Sequence, residues 1–238
     1  MFGSAGSANI IAGISRRSDG NMTVYPAPGD DQPAENRRKF FSRLGCVNQV
    51  VGVQMVHGSK VATVGAGQRG QILSDYDALI TDEPQVVLSL TVADCLPIYF
   101  YDQRRQAIAL AHAGWRGVLA NISREVVNKF IELYKTDPGD LEIHIGPHIH
   151  ICHFEVKDDV ANQFAAYPQF VSRSDKIFID LAGVVREQLM AAGIKAGNID
   201  ISQECTHDEK DQYFSYRRDG GEFRVMAAYL GLKRRQPN

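Results

Sequence analysis

The longest strand-forming pattern in the chain is TVADCLPIYFYDQRRQAIALAHAGWRG, which runs from Thr91 to Gly117. Its segments LPIYFY and AIALA are apolar and strand-prone, and DQRRQ between them is a polar turn, so the pattern predicts an antiparallel hairpin. Pairing Tyr101 with Ala107 across the turn brings Cys95 and His112 to neighbouring positions at the open end, with their Cβ atoms about 5–8 Å apart. A metal ion or a shared proton can join a thiol and an imidazole at that distance.

On both sides of the hairpin, further segments show strand and helix patterns. CVNQVVGVQMV, QVVLSLTVA, LEIHIGP and NIDISQ predict strands, and YFSYRRDGGEFRVMAAYLGL predicts a closing strand after a tight turn at Asp219. Apolar residues with helical spacing predict one helix from Trp115 to Leu133. DLAGVVREQLMAAG predicts another helix, with Asp180 as its N-cap and Gly193 as its C-cap.

Two further helices are predicted from shorter patterns. PAENRRKFFSRLG places Phe40, Phe41 and Leu44 on one helix face and ends at Gly45, and EVKDDVANQFAAY predicts a second helix. Because strands and helices intermingle without regular βαβ alternation, the sequence predicts an α+β fold with mixed sheets flanked by helices. Since no linker rich in Pro, Gly or Ser divides the chain, residues 1–238 are expected to form a single domain.

The composition is typical of an ordinary water-soluble globular protein. Of the 238 residues, 44% are hydrophobic and 23% charged, and the formal net charge is −2, which disfavours nucleic acid or an anionic membrane surface as a partner. No apolar run reaches the roughly 18 residues of a membrane span, and the first residues lack the pattern of a secretory signal. The four widely spaced cysteines suggest reduced thiols, so we expect a cytoplasmic protein.

Three candidate metal ligands occur beside small residues: His57 in VHG, Cys95 in ADC and His112 in AHAG. A thiolate and two imidazoles suit zinc or copper, and three protein ligands leave a fourth position for water or substrate, as in catalytic sites. The spacing matches none of the compact zinc-finger patterns, so a second interpretation stays open. In that interpretation Cys95 is a nucleophile activated by His112 without a metal, as in Cys–His hydrolases.

Other histidines are concentrated in IHIGPHIHICH, at His144, His148, His150 and His153. His148 and His150 alternate along an extended segment and would share a face, which is compatible with a second metal site. However, the histidines surround a Gly-Pro turn, and we find no thiol or carboxylate besides Cys152 to complete a ligand set. The sequence therefore favours surface or packing roles for this cluster, and the same interpretation applies to Cys205 and His207 in CTH.

Cationic side chains beside these motifs are candidates for anion binding. Arg17, Arg116 and Arg217 lie in turn-like contexts, where a guanidinium group can hold phosphate or a nucleoside. Each of them, taken alone, is more often part of a surface ion pair, so the sequence does not show which arginine would hold a phosphate.

Eight different short motifs follow one another along almost the whole chain. They are VHG at His57, DALIT at Asp77, ADC at Cys95, HAGWRG at His112, IGP at Ile145, EV at Glu155, CTH at Cys205 and FSYRRDG at Phe214. In their order and rough spacing the chain resembles the laccase-domain or polyphenol-oxidase-like proteins, also described as multifunctional purine nucleoside phosphorylases. HAGWRG with an upstream ADC is highly specific, and the match runs from about Ile14 to Leu232.

The resemblance implies a single α+β domain and a zinc ion held by His57, Cys95 and His112. It also implies phosphorolysis of adenosine, inosine, guanosine and methylthioadenosine, with adenosine deamination as a companion activity. Purine nucleosides and phosphate are then the expected partners, and Arg17, Arg116 or Arg217 would hold the phosphate. Asp94, next to Cys95, would shuttle protons or orient a ligand.

The chain departs from the common family pattern in two places. ISRRSDG stands where many members have Thr-Arg-x-Gly-Gly, and IGPHIHICHFEV stands where members often read IGPAIGPCCYEV. The older family label also implies copper and the oxidation of phenols, but laccase chemistry needs several coppers, and this chain has seven histidines in all. A metal-stabilised scaffold without activity is a further alternative, for which a site closed by four protein ligands would be typical.

Overall fold

The predicted hairpin lies in the middle of a six-stranded sheet in the computed structural model, which describes residues 9–222 and 224–233. A five-stranded sheet and a three-stranded sheet accompany it. The strands are β1 Ile10–Ile14, β2 Val50–Gln54, β3 Val61–Thr63, β4 Ile72–Ser74, β5 Ala78–Thr81, β6 Val87–Val92, β7 Leu96–Asp102, β8 Ala107–Ala113, β9 Leu141–Ile145, β10 Glu155–Val156, β11 Val171–Arg173, β12 Ile177–Ile179, β13 Ile199–Ile201 and β14 Met226–Leu232. The α-helices are α1 Gln32–Arg43, α2 Trp115–Leu119, α3 Ile122–Tyr134, α4 Asp158–Ala161, α5 Leu181–Ala191 and α6 Tyr216–Asp219.

Parallel and antiparallel pairs occur in the same sheets. The six-stranded sheet has the order β13-β9-β7-β8-β5-β3, the five-stranded sheet β1-β14-β6-β2-β4, and the three-stranded sheet β10-β12-β11. Strand β2 is parallel to β4 and β6, β3 is parallel to β5, and β13 is parallel to β9, while the other pairs are antiparallel. The mixed sheets and their flanking helices confirm the predicted α+β class.

Successive side chains of β7 point alternately to the two faces of the six-stranded sheet, and both faces are covered by other elements. Leu96, Ile98 and Phe100 lie on one face, in a cluster with apolar residues of α3 and α5. Tyr99 and Tyr101 lie on the other face, in a cluster with residues of β6 and β14. Because both faces are covered, every residue of β7 and β8 is buried, which explains the near-continuous apolar runs in the sequence.

The apolar clusters arrange the structure in four layers. Helices α3 and α5 cover the six-stranded sheet, that sheet packs on the five-stranded sheet, and α1 covers the outer face of the latter. Phe40 and Phe41 of α1 are buried in this outermost cluster, as predicted. Leu44, predicted on the same face, is instead 39% exposed, because it is the C-cap and lies past the last helical turn.

The observed register of the hairpin differs by one residue from the predicted one. Tyr101 pairs with Ile108, and the predicted partner Ala107 pairs with Asp102. The predicted register is therefore wrong: Asp102, expected in the turn, is the last residue of β7, and the turn is shortened to residues 103–106. The last residue of that turn has a left-handed backbone conformation, with φ of +52°.

The buried side chain of Asp102 stabilises the shorter turn. Its Oδ1 accepts hydrogen bonds from the backbone N–H groups of Arg104 and Arg105, both at 2.9 Å. Its Oδ2 accepts a hydrogen bond from the hydroxyl of Thr136 at 2.6 Å. An aspartate that accepts N–H groups of the next residues forms a local turn of its own, and Thr136 fixes this turn to the segment after α3.

The helix predicted from Trp115 to Leu133 is interrupted and forms α2 and α3. Asn121 between them has a left-handed backbone, and its side chain accepts a hydrogen bond from the N–H of Arg124 at 3.3 Å. Asn121 thus caps α3, and the apolar spacing continues across the break. The helix predicted over EVKDDVANQFAAY is also wrong in its extent, because its first two residues pair with β12, and an α-helix covers only Asp158–Ala161.

Several other predicted elements are confirmed. Strands β2, β6, β9, β13 and β14 lie where the sequence predicts strands. Asp180 caps α5 by accepting the N–H of Gly183 at 2.9 Å, and Gly193 follows that helix with φ of +97°. The predicted tight turn at Asp219 is instead the end of the short helix α6, and a 3-10 turn follows it.

Within residues 9–222 and 224–233, no helix combines the length and the apolar character needed to cross a membrane. Residues 1–8, which belong to the segment compared with secretory signals, lie outside the described residues. The assignment of residues 1–238 to a single domain stays a prediction.

Replacing Thr136 with valine is expected to lower the free energy of unfolding by about 1–3 kcal/mol, because Oδ2 of the buried Asp102 loses its hydroxyl donor. Urea unfolding followed by circular dichroism measures this change. Thr63→Val, at an exposed position of β3, is the matched control and should change stability by less than about 0.5 kcal/mol. Equal stability of the Thr136→Val variant and the wild type would contradict the anchoring role of this hydrogen bond.

Candidate metal centre and its cavity

The carboxyl ends of β2, β6 and β8 adjoin a large cavity at one edge of the packed sheets. Its volume is about 860 Å³, within the range of about 300–1,000 Å³ that is typical of small-molecule sites. The candidate ligands His57, Cys95 and His112 all line it. The lining also includes aromatic and cationic side chains, namely Tyr25, Trp115, Arg116, Phe154, Tyr216 and Arg217.

The three candidate ligands come from different segments of the chain. His57 is three residues past β2, Cys95 is in the short link between β6 and β7, and His112 is near the end of β8. One ligand atom from each residue lies within 4.8 Å of the other two. The imidazole rings of His57 and His112 meet edge to face, with centroids 4.7 Å apart. The structure thus brings the three residues together, and their binding of a metal ion stays a prediction.

A fully buried carboxylate, that of Asp77, holds two of the three ligands in place. Its Oδ1 accepts the backbone N–H of His57 at 2.8 Å and lies 3.1 Å from Nδ1 of His112, while Oδ2 accepts the N–H of Gly58 at 2.7 Å. Burial opposes ionisation, but the hydrogen bonds from His112 and Gly58 outweigh it and lower the pKa of Asp77. An ionised Asp77 keeps the proton of His112 on Nδ1 and leaves Nε2 as the nitrogen that can bind a metal.

Cys95 and His112 stabilise each other in their charged forms. Burial raises the pKa of the Cys95 thiol, but the charge of His112 and hydrogen bonds from both histidines outweigh it and bring that pKa to about 6. Burial likewise lowers the pKa of His112, while the Cys95 thiolate and Asp77 raise it to about 9. At neutral pH the sulfur is therefore a thiolate, the form that binds metals and acts as a nucleophile. Metal binding would release the second proton of His112.

Because Gly114 has no side chain, it leaves room for the side chains of Cys95 and His57. A Cβ atom at this position would lie 3.1 Å from Sγ of Cys95 and 3.1 Å from Cδ2 of His57. A side chain there would have to displace two of the three candidate ligands by a few tenths of an ångström, so the first glycine of HAGWRG leaves them room in their present positions. His57 itself has a left-handed backbone, with φ of +59°, which the hydrogen bond from its N–H to Asp77 stabilises.

The donor set fits a transition metal with an open coordination position. A thiolate and two imidazoles suit zinc, and this group of close ligand atoms has three members among the described residues. His112 is buried, Cys95 is partly exposed and His57 is exposed, so one side of the group is accessible from the cavity. Three ligands with an accessible side are typical of catalytic metal sites and not of closed structural ones.

Two of the three predicted substrate arginines line the cavity. The guanidinium carbon of Arg116 lies 4.1 Å from the ring centroid of Trp115. Arg217 donates a hydrogen bond to the carbonyl of His153 at 2.9 Å. Arg17 lies outside the lining of the cavity, where its guanidinium group pairs with Asp219 at 3.3 Å. This placement leaves Arg116 and Arg217 as the candidates for holding an anion.

Asp94, predicted to shuttle protons or to orient a ligand, has its carboxylate occupied by three donors. Oδ1 accepts the hydroxyl of Thr206 at 2.6 Å, and Oδ2 accepts the hydroxyl of Ser215 at 3.0 Å and the N–H of Arg217 at 2.7 Å. Its backbone has a positive φ of +86°. These contacts support a positioning role, in which Asp94 fixes the link that carries Cys95 to the segment that carries Arg217.

The predicted histidine cluster divides between separate partners. Nδ1 of His144 lies 2.8 Å from a carboxylate oxygen of Asp200, and Nδ1 of His148 lies 2.8 Å from the carbonyl oxygen of Gly146. The ring of His150 lies against that of His148, with centroids 4.6 Å apart. His144 and His148 therefore have hydrogen-bond partners of their own, and none of these three histidines belongs to the group of close ligand atoms around Cys95.

His153 belongs to a different group, which sequence reasoning missed. Its ring nitrogen lies close to side-chain atoms of Cys152, Cys205 and Asp208. The expectation that no thiol or carboxylate besides Cys152 completes a set is therefore wrong, because the fold brings in two residues from more than fifty positions further on. Asp77 was also absent from the predicted site, although it is a charged residue directly before the buried strand β5, which is a recognisable signal.

Replacing Asp77 with asparagine is expected to weaken metal binding about 10- to 100-fold, because the amide no longer fixes the His112 tautomer. Competition with a chromogenic chelator measures the affinity. Asp75→Asn, two residues earlier and exposed, is the matched control and should leave affinity unchanged. Circular dichroism checks that both variants fold, and full affinity in a folded Asp77→Asn variant would refute the orienting role.

Comparison with known proteins agrees with this arrangement. The chain is 30% identical over 250 residues to the protein named purine nucleoside phosphorylase YlmD of Geobacillus stearothermophilus, covering 95% of this chain and 91% of that protein. It is 35% identical over 215 residues to the purine nucleoside phosphorylase of Bacteroides thetaiotaomicron, covering 84% of this chain and 80% of that one. The purine nucleoside phosphorylase YfiH of Escherichia coli is 30% identical over 233 residues, with 95% and 92% covered.

Solved structures show the same fold. The crystal structure of YlmD from Geobacillus stearothermophilus superposes with a TM-score of 0.89 at 31% identity, covering 95% of this chain and 93% of that one. The hypothetical protein YfiH of Bacillus licheniformis gives a TM-score of 0.89 at 29% identity, covering 94% and 93%. A family profile described as multi-copper polyphenol oxidoreductase laccase matches residues 11–233. The chain therefore belongs to this laccase-like family.

Proposed function

We propose that the protein is a zinc-dependent enzyme that cleaves purine nucleosides by phosphorolysis. The observation that carries this proposal is the accessible group of one thiolate and two imidazoles in a cavity that also presents guanidinium groups and aromatic rings. The names of the relatives, purine nucleoside phosphorylases at 30–35% identity, support the same activity. Adenosine, inosine, guanosine and methylthioadenosine are the proposed substrates.

The cavity suits a nucleoside in size and in chemistry. Its volume of about 860 Å³ exceeds that of a purine ring and a ribose, so phosphate has room beside them. Tyr25, Trp115, Phe154 and Tyr216 offer faces or edges on which the purine can stack. Stacking of one base on an aromatic side chain contributes about 1–3 kcal/mol and tolerates different bases, which agrees with a set of several purine nucleosides.

Arg116 and Arg217 are the proposed phosphate-binding residues. In phosphorolysis a phosphate oxygen forms a bond to C1′ of the ribose while the bond from C1′ to the purine nitrogen breaks. The electron pair of the broken bond leaves with the base, which takes up a proton, and the other product is ribose-1-phosphate. A guanidinium group holds a phosphate dianion in a fixed orientation through paired N–H donors, so the two arginines would align it for attack.

His57, Cys95 and His112 would hold the zinc ion. When bound, zinc supplies Lewis acidity, which stabilises negative charge on a substrate oxygen or nitrogen. Asp77 keeps the ring of His112 in one orientation and protonated at Nδ1, and Gly114 keeps the approach to the sulfur clear. The proposed companion activity, adenosine deamination, replaces the amino group of the purine with an oxygen from water and releases ammonia.

Copper-dependent oxidation of phenols is a weaker proposal, although the description of the matching family names a laccase. Laccase chemistry uses several coppers with many histidine ligands, whereas the group that lines this cavity contains two histidines and one cysteine. A metal-free Cys–His hydrolase is compatible with the Cys95–His112 charge pair but would not need His57. Oxygen consumption with a phenol, or base release without metal, would identify these alternatives.

The proposal also assigns the protein to the cytoplasm. All four cysteines are free thiols in the structure, at Cys46, Cys95, Cys152 and Cys205. Free cysteines stay reduced in a reducing compartment. Outside it they are prone to oxidation, and a cysteine that is a thiolate at neutral pH is especially so.

Replacing Cys95 with alanine should remove the metal from the cavity and nucleoside turnover together, because the thiolate is the only anionic donor of the group. Elemental analysis, which should show one equivalent of metal fewer than in the wild type, and product chromatography measure the two quantities on one preparation. Cys46→Ala, at a buried cysteine remote from the cavity, is the matched control and should keep both. Turnover that survives loss of the metal would refute the zinc mechanism.

Base release from adenosine or inosine should depend on added phosphate and should yield ribose-1-phosphate in equal amount. Arg217→Lys keeps a positive charge but loses paired N–H donors, so it should raise the KM for phosphate more than the KM for the nucleoside. Steady-state kinetics with each substrate varied in turn separates the two constants. Base release that is indifferent to phosphate would identify a hydrolase instead.

A further inference from the structure

Cys152, His153, Cys205 and Asp208 form a compact group outside the described cavity site. Nδ1 of His153 lies 3.1 Å from Sγ of Cys152, 4.0 Å from Sγ of Cys205 and 3.4 Å from Oδ1 of Asp208. Sγ of Cys152 lies 3.8 Å from Oδ2 of Asp208. One ligand atom from each of the four residues lies within 4.8 Å of all the others.

These separations are close to those around a tetrahedral zinc ion. Bonds of about 2.3 Å to sulfur and about 2.0–2.2 Å to nitrogen and oxygen, at tetrahedral angles, separate the ligand atoms by about 3.3–3.8 Å. The four distances given above are distributed around that range, so small side-chain rotations would complete the geometry. Two sulfurs, one imidazole and one carboxylate are all donors that zinc accepts.

The backbone holds the two halves of the group together before any ion binds. His148 and Cys205 form an isolated parallel bridge, and the N–H of Thr206 donates to the carbonyl of His148 at 3.0 Å. The N–H of His150 donates to Sγ of Cys205 at 3.5 Å, which ties this sulfur to the segment that carries Cys152 and His153. Cys205 is 5% exposed and therefore fixed in position.

The neighbouring ring of His207 restrains the imidazole of His153. The two rings stack with centroids 3.8 Å apart and an interplanar angle of 16°. Cys152 and Asp208, in contrast, are exposed, so an ion can reach the group from solvent. A site that is half preformed and half accessible can bind a metal ion after folding.

We propose that Cys152, His153, Cys205 and Asp208 bind a second metal ion of the zinc class. Four protein donors fill a tetrahedral coordination sphere, so this site is structural, in contrast to the open group at Cys95. The ion would cross-link the loop between β9 and β10 to the loop after β13.

The position of the second site connects it to the cavity wall. Arg217, which lines the cavity, donates to the carbonyl of His153, and the hydroxyl of Thr206 donates to Asp94. Phe154, the residue after His153, also lines the cavity. A metal ion at the second site would therefore restrict the motion of the wall that carries Arg217 and Phe154.

Binding of Co²⁺ to the full-length Cys95→Ala variant tests the second site separately from the first. The protein is freed of metal, kept reduced with a non-thiol phosphine and titrated with Co²⁺, whose bands report thiolate ligands and tetrahedral geometry. We expect one tightly bound equivalent with thiolate-to-cobalt absorption, and its loss when Cys205→Ser is added. Absence of binding in the Cys95→Ala variant, or its persistence after Cys205→Ser, would overturn the proposal.

A milder variant guards against misfolding of the cysteine variants. Asp208→Asn removes an exposed donor and should weaken Co²⁺ binding at least about tenfold, while Asp211→Asn, three residues further on and also exposed, should not. Equal affinity of these two variants would contradict the role of Asp208. Thiol counting on the protein as purified, before any reductant is added, checks the competing possibility, since a Cys152–Cys205 disulfide in place of bound metal would overturn the proposal.

This test does not depend on the proposed phosphorolysis. If the Cys95 group binds no metal, the wild type should still hold one equivalent, and Cys205→Ser should remove it. If the protein has no nucleoside activity, the Co²⁺ titrations keep their meaning, because they measure binding alone.

Discussion

The buried carboxylate of Asp77 is the interaction on which the arrangement of the site depends. Burying a charge is costly unless hydrogen bonds and an opposite charge compensate it. Here the compensation comes from backbone N–H groups of His57 and Gly58 and from the ring of His112. One charge therefore fixes a strand end of the five-stranded sheet and a side chain of the six-stranded sheet relative to each other. The electrostatic state of Cys95 follows from this, because its partner His112 is held in place.

Much of the fold could be predicted from the sequence, because the apolar alternation of β7 and β8 reports burial on both faces. The register of that hairpin could not, since it depends on Asp102 and on its bond to Thr136, which lies 34 residues further along the chain. The break between α2 and α3 has a similar cause. Apolar spacing continues across Asn121, and only its left-handed backbone separates the helices.

In the candidate site, too, some residues could be predicted from local sequence and others depend on contacts between distant segments. His57, Cys95 and His112 could be predicted because each stands beside a small residue at a strand end, where polar side chains are expected to have a role. Arg17 was selected on similar grounds, but its partner Asp219 lies 202 residues away in the sequence and cannot be recognised without the fold. The Cys152 group was missed for the same reason, because two loops that are distant in the chain supply two donors each.

The link from Val92 to Leu96 carries the chain from one sheet directly to the other through three residues. Asp94 in the middle of this link is tied by side-chain and backbone donors to the segment around Ser215 and Arg217. Because this link is short and well anchored, it prevents the two sheets from moving apart as rigid bodies. The scaffold thus lacks a hinge at this point, and both Asp94 and Cys95 of this link line the cavity that the two sheets adjoin.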